Sequence, residues 1–165
     1  MSAKWYALQT KPRKEWAVYD RLENEGVEIF FPVIRVQQRG TRRVRERAYF
    51  PSYMFVCVDL EQRGKDALRW IPGAKGLVRF GGEPVPVPES LVANLKKQLA
   101  RLREERPRGL RQGDRVRIVG GPLKGYDAIF DAHRSGKQRI DVLMSLLGHT
   151  AKRLRLDADD VEKAD

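Results

Sequence analysis

The chain has 165 residues, 41% hydrophobic and 33% charged, with 33 Lys and Arg against 22 Asp and Glu for a net charge of +11. That balance supports a buried core and excludes a wholly disordered tail, and its positive potential draws in polyanions, nucleic acid ahead of an anionic membrane surface. A single cysteine, Cys57, excludes an internal disulfide and a cysteine-built zinc site, and no apolar run has the form of a signal peptide or the length of a membrane span, so a cytoplasmic protein is expected.

Residues 4–10, KWYALQT, are rich in strand formers. Thr10 and Pro12 then mark a helix start, Trp16, Tyr19 and Leu22 recur at helical spacing on one face to be buried, and Gly26 supplies the stop. Residues 27–38 and 42–50 read as two strand arms about the turn Arg39-Gly40-Thr41. With little apolar material beyond Val33, Ile34, Val36 and Val44, they predict a hairpin projecting from the body with a wet, basic tip. After Pro51, residues 53–60 are too continuously apolar to leave one face in water, which makes them a central strand. Residues 65–70 fit a short helix stopped by Pro72 and Gly73, residues 76–80 fit a strand, and the prolines at 84, 86 and 88 hold an extended segment. Residues 89–105 are the clearest helix, with Leu91, Leu95, Leu99 and Leu102 on one face and Val92 beside them.

A charged stretch holding Pro107 and Gly109 then reads as a linker, and from Gly113 the period changes. Val116, Ile118, Ala128, Phe130, Ile140, Val142 and Met144 alternate within short runs, separated by turn clusters at 120–122 and 134–136. Short strands at this spacing predict a small β-barrel.

Four constellations are candidates for function. Arg35, Arg39, Arg42, Arg43, Arg45 and Arg47 crowd the hairpin against Glu46 alone, and arginine forks suit phosphate or acidic protein better than solubility requires. Lys11, Arg13, Lys14 and Arg21 surround the first helix as a second basic surface. In YFPSYMFV (49–56), strand alternation sends Tyr53 and Phe55 to one face and Met54 and Val56 to the other, so one face can present aromatics to a partner if the other meets the core. The glycine-rich run 113–125 lacks the spacing of a phosphate-binding loop, and its glycines serve as turn formers. His133 and His149 lie outside any metal-spacing motif, and no GxSxG or paired-carboxylate pattern occurs, so neither enzymatic activity nor a cofactor is expected.

Together these pieces resemble the NusG family of transcription elongation factors. The resemblance rests on KWYALQT at 4–10, on FPSYMFV at 50–56, on the KOW-like run GDRVRIVGGPLKGYDAIF at 113–130, and on SLLG at 145–148. It implies an α+β protein: a NusG-type α/β sandwich with an antiparallel sheet (1–105), a linker (106–112) and a small KOW β-barrel (113–165). It further implies a monomer whose N-terminal domain binds the clamp helices of the largest RNA polymerase subunit, through Tyr53 and Phe55 with Leu8 and Leu95 as further candidates. Lys11, Arg13 and Lys14 match the region that faces non-template DNA, with Arg39, Arg42 and Arg43 as further nucleic-acid candidates. Leu146 and Leu147 match the loop that takes Rho or a ribosomal protein. A ribosome-associated KOW protein would account for the charge but not for the apolar first half.

Ser52 in FPSY, the wording VRFG at 78–81 and Ala128 resemble RfaH-type, operon-specific members of the family. RfaH can hold its C-terminal domain as a helical hairpin that masks the polymerase site. Here Gly120, Gly121, Pro122 and Gly125 fall where the first masking helix would run. An interior proline costs about 3 kcal/mol and each glycine about 1 kcal/mol against alanine, so a resident barrel is expected. Residues 141–156 are ambiguous and fit a helix in another context.

Overall fold

The computed structural model describes residues 3–37, 40–104, 124–131 and 133–164. Strand β1 (Lys4–Thr10) leads into helix α1 (Glu15–Asn24) and strands β2 (Glu28–Phe30), β3 (Val33–Gln37), β4 (Val44–Ala48) and β5 (Tyr53–Val58). A one-turn helix α2 (Leu60–Arg63) and a 3-10 turn (Ala67–Trp70) follow, then strands β6 (Ala74–Leu77), β7 (Arg79–Phe80), β8 (Glu83–Pro84) and β9 (Pro86–Val87). Helices α3 (Glu89–Glu104), α4 (Lys124–Phe130) and α5 (Gly136–Ala164) complete the described chain.

The main sheet is antiparallel in the order β2-β5-β1-β6, with β9 also against β1. Its unbroken apolar run places β5 inside the sheet, as expected. Register divides the side chains between two cores. Trp5 pairs with Cys57 and Ala7 with Phe55, while Tyr6 pairs with Val56 and Leu8 with Met54. Alternation sends the first set to one face and the second to the other. The second face is closed by Val18 and Leu22 of α1 with Leu68 and Ile71; the first is closed by Leu91, Val92, Leu95 and Leu99 of α3. Among the described residues β3 and β4 pair only with each other, forming the expected basic hairpin.

Helix α1 begins at Glu15, not at Thr10 or Pro12. Thr10 closes β1, and Pro12 sits in a tight turn in which the Lys14 amide donates to the Lys11 carbonyl at 3.1 Å. Trp16 is 49% exposed rather than buried, and packs edge-on against Tyr19 and Phe31. Val18 and Leu22, four residues apart, set the buried stripe, and at about 100° per residue Trp16 lies well round the helix from them.

The mixed α+β class with an antiparallel sheet holds, but the described C-terminal segment is not a barrel in this structure. Residues 105–123, which include the linker, Val116 and Ile118, lie outside the described residues. Ala128 and Phe130 lie in α4, and Ile140, Val142 and Met144 in α5. A second periodicity overrides the alternation: Arg139, Leu143, Leu147 and Ala151 recur every four residues and form the buried stripe of α5. A capping box starts this helix, with the Gln138 amide donating to Ser135 Oγ at 3.2 Å and the Ser135 amide donating to Gln138 Oε1 at 2.9 Å. Two glycines permit close approach. A Cβ on Gly125 would clash with the Leu146 side chain, and one on Gly136 would lie 2.6 Å from the Pro51 ring. In that packing the cost of glycine in a helix is offset by tight contact.

Candidate docking face and basic edge

The sheet face that carries Phe55 is an aromatic cluster. Phe55 is fully buried, with its ring 6.1 Å from Phe30 in a stacked arrangement and 5.9 Å from Phe50 edge-on. Tyr49 meets Phe50 edge-on at 5.0 Å, and Lys96 lies 5.0 Å above the Trp5 ring. Tyr53 is half-buried beside the cluster, and burial raises its phenol above the ordinary value. The cluster is presented by the turn Phe50–Tyr53, closed by the Tyr53 amide donating to the Phe50 carbonyl at 3.0 Å. Pro51 and Ser52 are its central residues. Ser52 takes φ 67°, the left-handed conformation such turns usually give to glycine.

Tyr53, Phe55 and Leu95 come together in this cluster. Leu8 does not: it is fully buried on the opposite face against Met54, Val18 and Leu22, because strand alternation separates it from Phe55. Its assignment to the same docking face is corrected.

Over the aromatic face lie α4 and α5. Ile129, Leu143, Leu147 and Ala151 enter the same core as Phe50, Phe55 and Leu95. Burying a Leu or Ile side chain contributes about 1.5–3 kcal/mol, so these residues seat the helical pair firmly. Leu147 is 1% exposed and Leu146 packs against Gly125, so both lie within helix α5 and not on a barrel loop as the resemblance implied.

At the start of α5, Arg139 is 5% exposed. Its Nε donates to the Tyr49 carbonyl at 2.8 Å and a terminal nitrogen to the Arg134 carbonyl at 2.7 Å, while the guanidinium sits 4.2 Å above the Tyr49 ring. Burial pulls the Arg139 pKa down and pushes the Tyr49 phenol up. Among the described residues, Tyr49 Oη and Asp127 Oδ1 are buried without a hydrogen-bond partner. A cleft of about 390 Å³ runs along the seam, lined by Phe80, Gly81, Met144, His149 and Lys152.

The basic groups form separate surfaces. Lys11, Arg13 and Lys14 are exposed in the turn before α1, and among the described residues none is paired with a carboxylate. Arg42 and Arg43 are exposed at the ribbon's tip, where Arg35 meets Glu46 across the strands at 4.0 Å; Arg39 lies outside the described residues. Among the described residues, no cluster of His, Cys, Asp and Glu could hold a metal, and no helix is long and apolar enough to cross a membrane.

Sequence reasoning missed Arg139, Ile129 and Leu143 as the elements that cover the face. The signal was present in Ser135-x-x-Gln138 ahead of residues spaced at 139, 143, 147 and 151, the signature of a capped amphipathic helix.

Fold and site define an α+β protein with a self-covered aromatic face and a basic edge whose cations have no carboxylate partner among the described residues. The family model described as "Transcription termination factor nusG" matches residues 3–96. The chain belongs to the NusG family. It is 26% identical to the transcription termination/antitermination protein NusG of Thermus thermophilus and 27% identical to that of Deinococcus radiodurans, each match covering 99% of this chain and 100% of the relative. The NusG of Borreliella burgdorferi is 24% identical at the same coverage. A solved structure described as domain interaction in Thermotoga maritima NusG covers 72% of this chain and 67% of its own, at TM-score 0.44 and 26% identity.

Proposed function

We propose that this chain is a non-enzymatic transcription elongation and antitermination factor of the specialised, RfaH-like kind, held closed by its own C-terminal helices until polymerase displaces them. The aromatic face of β5 docks on the clamp helices of the largest polymerase subunit through Tyr53 and Phe55, suppressing pausing and raising processivity. Lys11, Arg13 and Lys14, with the arginine ribbon, lie toward non-template DNA. One observation carries the specialised reading: the face expected to meet polymerase is covered by Ile129, Leu143 and Leu147 of the same chain. A factor that serves every transcript gains nothing from a mask, whereas one confined to selected operons does.

A housekeeping role, coupling polymerase to Rho or a ribosomal protein through the C-terminal segment, is the second reading. It is favoured by the NusG names of the relatives. Two experiments test these readings. Capture of core polymerase from purified components, with ribosomal subunits as competitor, tests the partner. Genome-wide occupancy tests the branch: a few operons supports the specialised role, and all transcribed genes supports the housekeeping role.

A further inference from the structure

The β7–β8 hairpin stands off the main sheet. At its base the Val78 amide donates to the Ala7 carbonyl at 2.8 Å and the Val85 amide to the Val78 carbonyl at 3.3 Å. Beyond that base, β7 and β8 pair only with each other among the described residues. The turn is Gly81-Gly82, at φ 63° and 83°, the left-handed pair that lets two residues reverse the chain. A hairpin with strands of two residues does not hold its place alone, so its position is set by what grips it from either side.

On one side the grip is ionic. Arg79 donates to Asp66 Oδ1 at 2.5 Å, to the Lys65 carbonyl at 3.1 Å and, across its own turn, to the Gly82 carbonyl at 3.3 Å. Lys65 also reaches Glu83 at 2.5 Å, but both side chains of that pair are more than half exposed, whereas Arg79 is 33% exposed. Arg79 therefore ties the loop before the 3-10 turn to both the strand and the tip of the hairpin. On the other side the grip is apolar. Phe80 packs against the aromatic core, and α5 crosses it so closely at Gly148 that a Cβ there would stand 3.4 Å from the ring. Successive residues of a strand point to opposite faces, so one short strand carries the ionic tie on one face and the contact with the covering helix on the other.

We propose that this hairpin is a salt-sensitive latch on the covering helices: Arg79, held by Asp66 and the Lys65 carbonyl, positions Phe80 against Gly148 of α5, and screening of Asp66 or competition for it frees the ring and lets the helix lift. The inference rests on the reading of α4 and α5 as a mask, and adds a control on it. Exposed ion pairs contribute little and are screened by salt. That weakness suits a latch, because the buried seam holds the helix while the latch shifts its hold by a small factor. Salt also relaxes the self-repulsion of a chain of net charge +11, which favours closure, so the latch is read from the difference between variants and not from salt alone.

The test is hydrogen exchange of the full-length chain at about 0.05 M and about 0.5 M sodium chloride, a range over which exposed pairs are progressively screened. Arg79→Gln, Asp66→Asn, Phe80→Ala and the Arg79→Gln, Phe80→Ala double variant are compared with the unaltered chain. Residues 136–151 report lifting of the helix, and residues 53–58 report the integrity of the sheet. Arg79→Gln is expected to speed exchange across 136–151 about three-fold at low salt and to differ little from the unaltered chain at high salt. Asp66→Asn should act in the same direction by a smaller factor. In the Phe80→Ala background Arg79→Gln should add nothing, because the ring through which it acts is gone. Unchanged exchange across 136–151 in Arg79→Gln, equal acceleration across 53–58, or full additivity with Phe80→Ala overturns the latch. Absence of protection across 136–151 in the unaltered chain overturns the mask reading itself, whereas protection that ignores Arg79 overturns the latch alone.

Discussion

Arg139 and Tyr49 lie ninety residues apart in the chain, yet Arg139 Nε donates to the Tyr49 carbonyl at 2.8 Å and its guanidinium covers the Tyr49 ring. This contact joins the helix that covers the aromatic face to the strand-end residues that build it. A hydrogen bond to a charged group is worth about 1.5–3 kcal/mol. Arg139→Ala is therefore expected to raise the fraction of open chain, seen as roughly ten-fold tighter polymerase capture at unchanged melting of the N-terminal domain. Arg139→Lys keeps the charge but loses the fork, and should fall between the two.

Gly136→Ala separates helix propensity from packing. Propensity favours alanine over glycine, by about 1 kcal/mol in a helix interior and by less at this first helical position. The Pro51 ring lies where the added methyl would go, so the substitution should loosen the covered state instead. Hydrogen exchange across 136–151 is expected to accelerate; slower exchange would show that the contact with Pro51 does not constrain the helix.

Leu147→Ala removes a fully buried side chain from the seam, at a cost of about 2–5 kcal/mol. The loss should fall on the covering helices and leave the sheet intact. Exchange protection would drop across 136–151 and persist across 53–58.

Ser52→Gly relieves a left-handed residue in the turn before β5. The gain should be about 1 kcal/mol in equilibrium unfolding, since a side chain in that conformation costs roughly 1–2 kcal/mol. Polymerase capture should be unaffected.

Tyr53→Ala tests the docking surface with the least disturbance of the fold, because Tyr53 is half-buried while Phe55 is fully buried. Aromatic anchors at protein interfaces are worth about 2 kcal/mol or more. Capture of polymerase should weaken at least ten-fold in the Arg139→Ala background, where the face is already open.

The sheet was legible in the sequence because each strand carries a local signal. The apolar run 53–58 and the tract KWYALQT need no distant partner to be read. Leu8 was misassigned because its face depends on register against Met54, a relationship fixed only when β1 and β5 pair. The C-terminal segment reads two ways for a different reason. Its residues satisfy two periods at once, with 140, 142 and 144 alternating and 139, 143, 147 and 151 recurring every turn. What decides between them is the aromatic face, which accepts the second set and lies far away in sequence. The glycine penalty pointed the wrong way at Gly125 because the cost per residue carries no information about a leucine that fills the space its missing Cβ leaves.

Docking through the aromatic face requires the covering helices to leave when polymerase binds. Spin labels at Glu83 and Lys152, on a Cys57→Ser background, measure this directly: Glu83 lies on the β7–β8 hairpin with Phe80 and Gly81, which line the same cleft as Lys152. The predicted result is one short distance in the free chain and a long, broad distribution on transcribing polymerase. A short distance retained in the bound complex would contradict the account, because the face beneath α5 would then not be the one that docks.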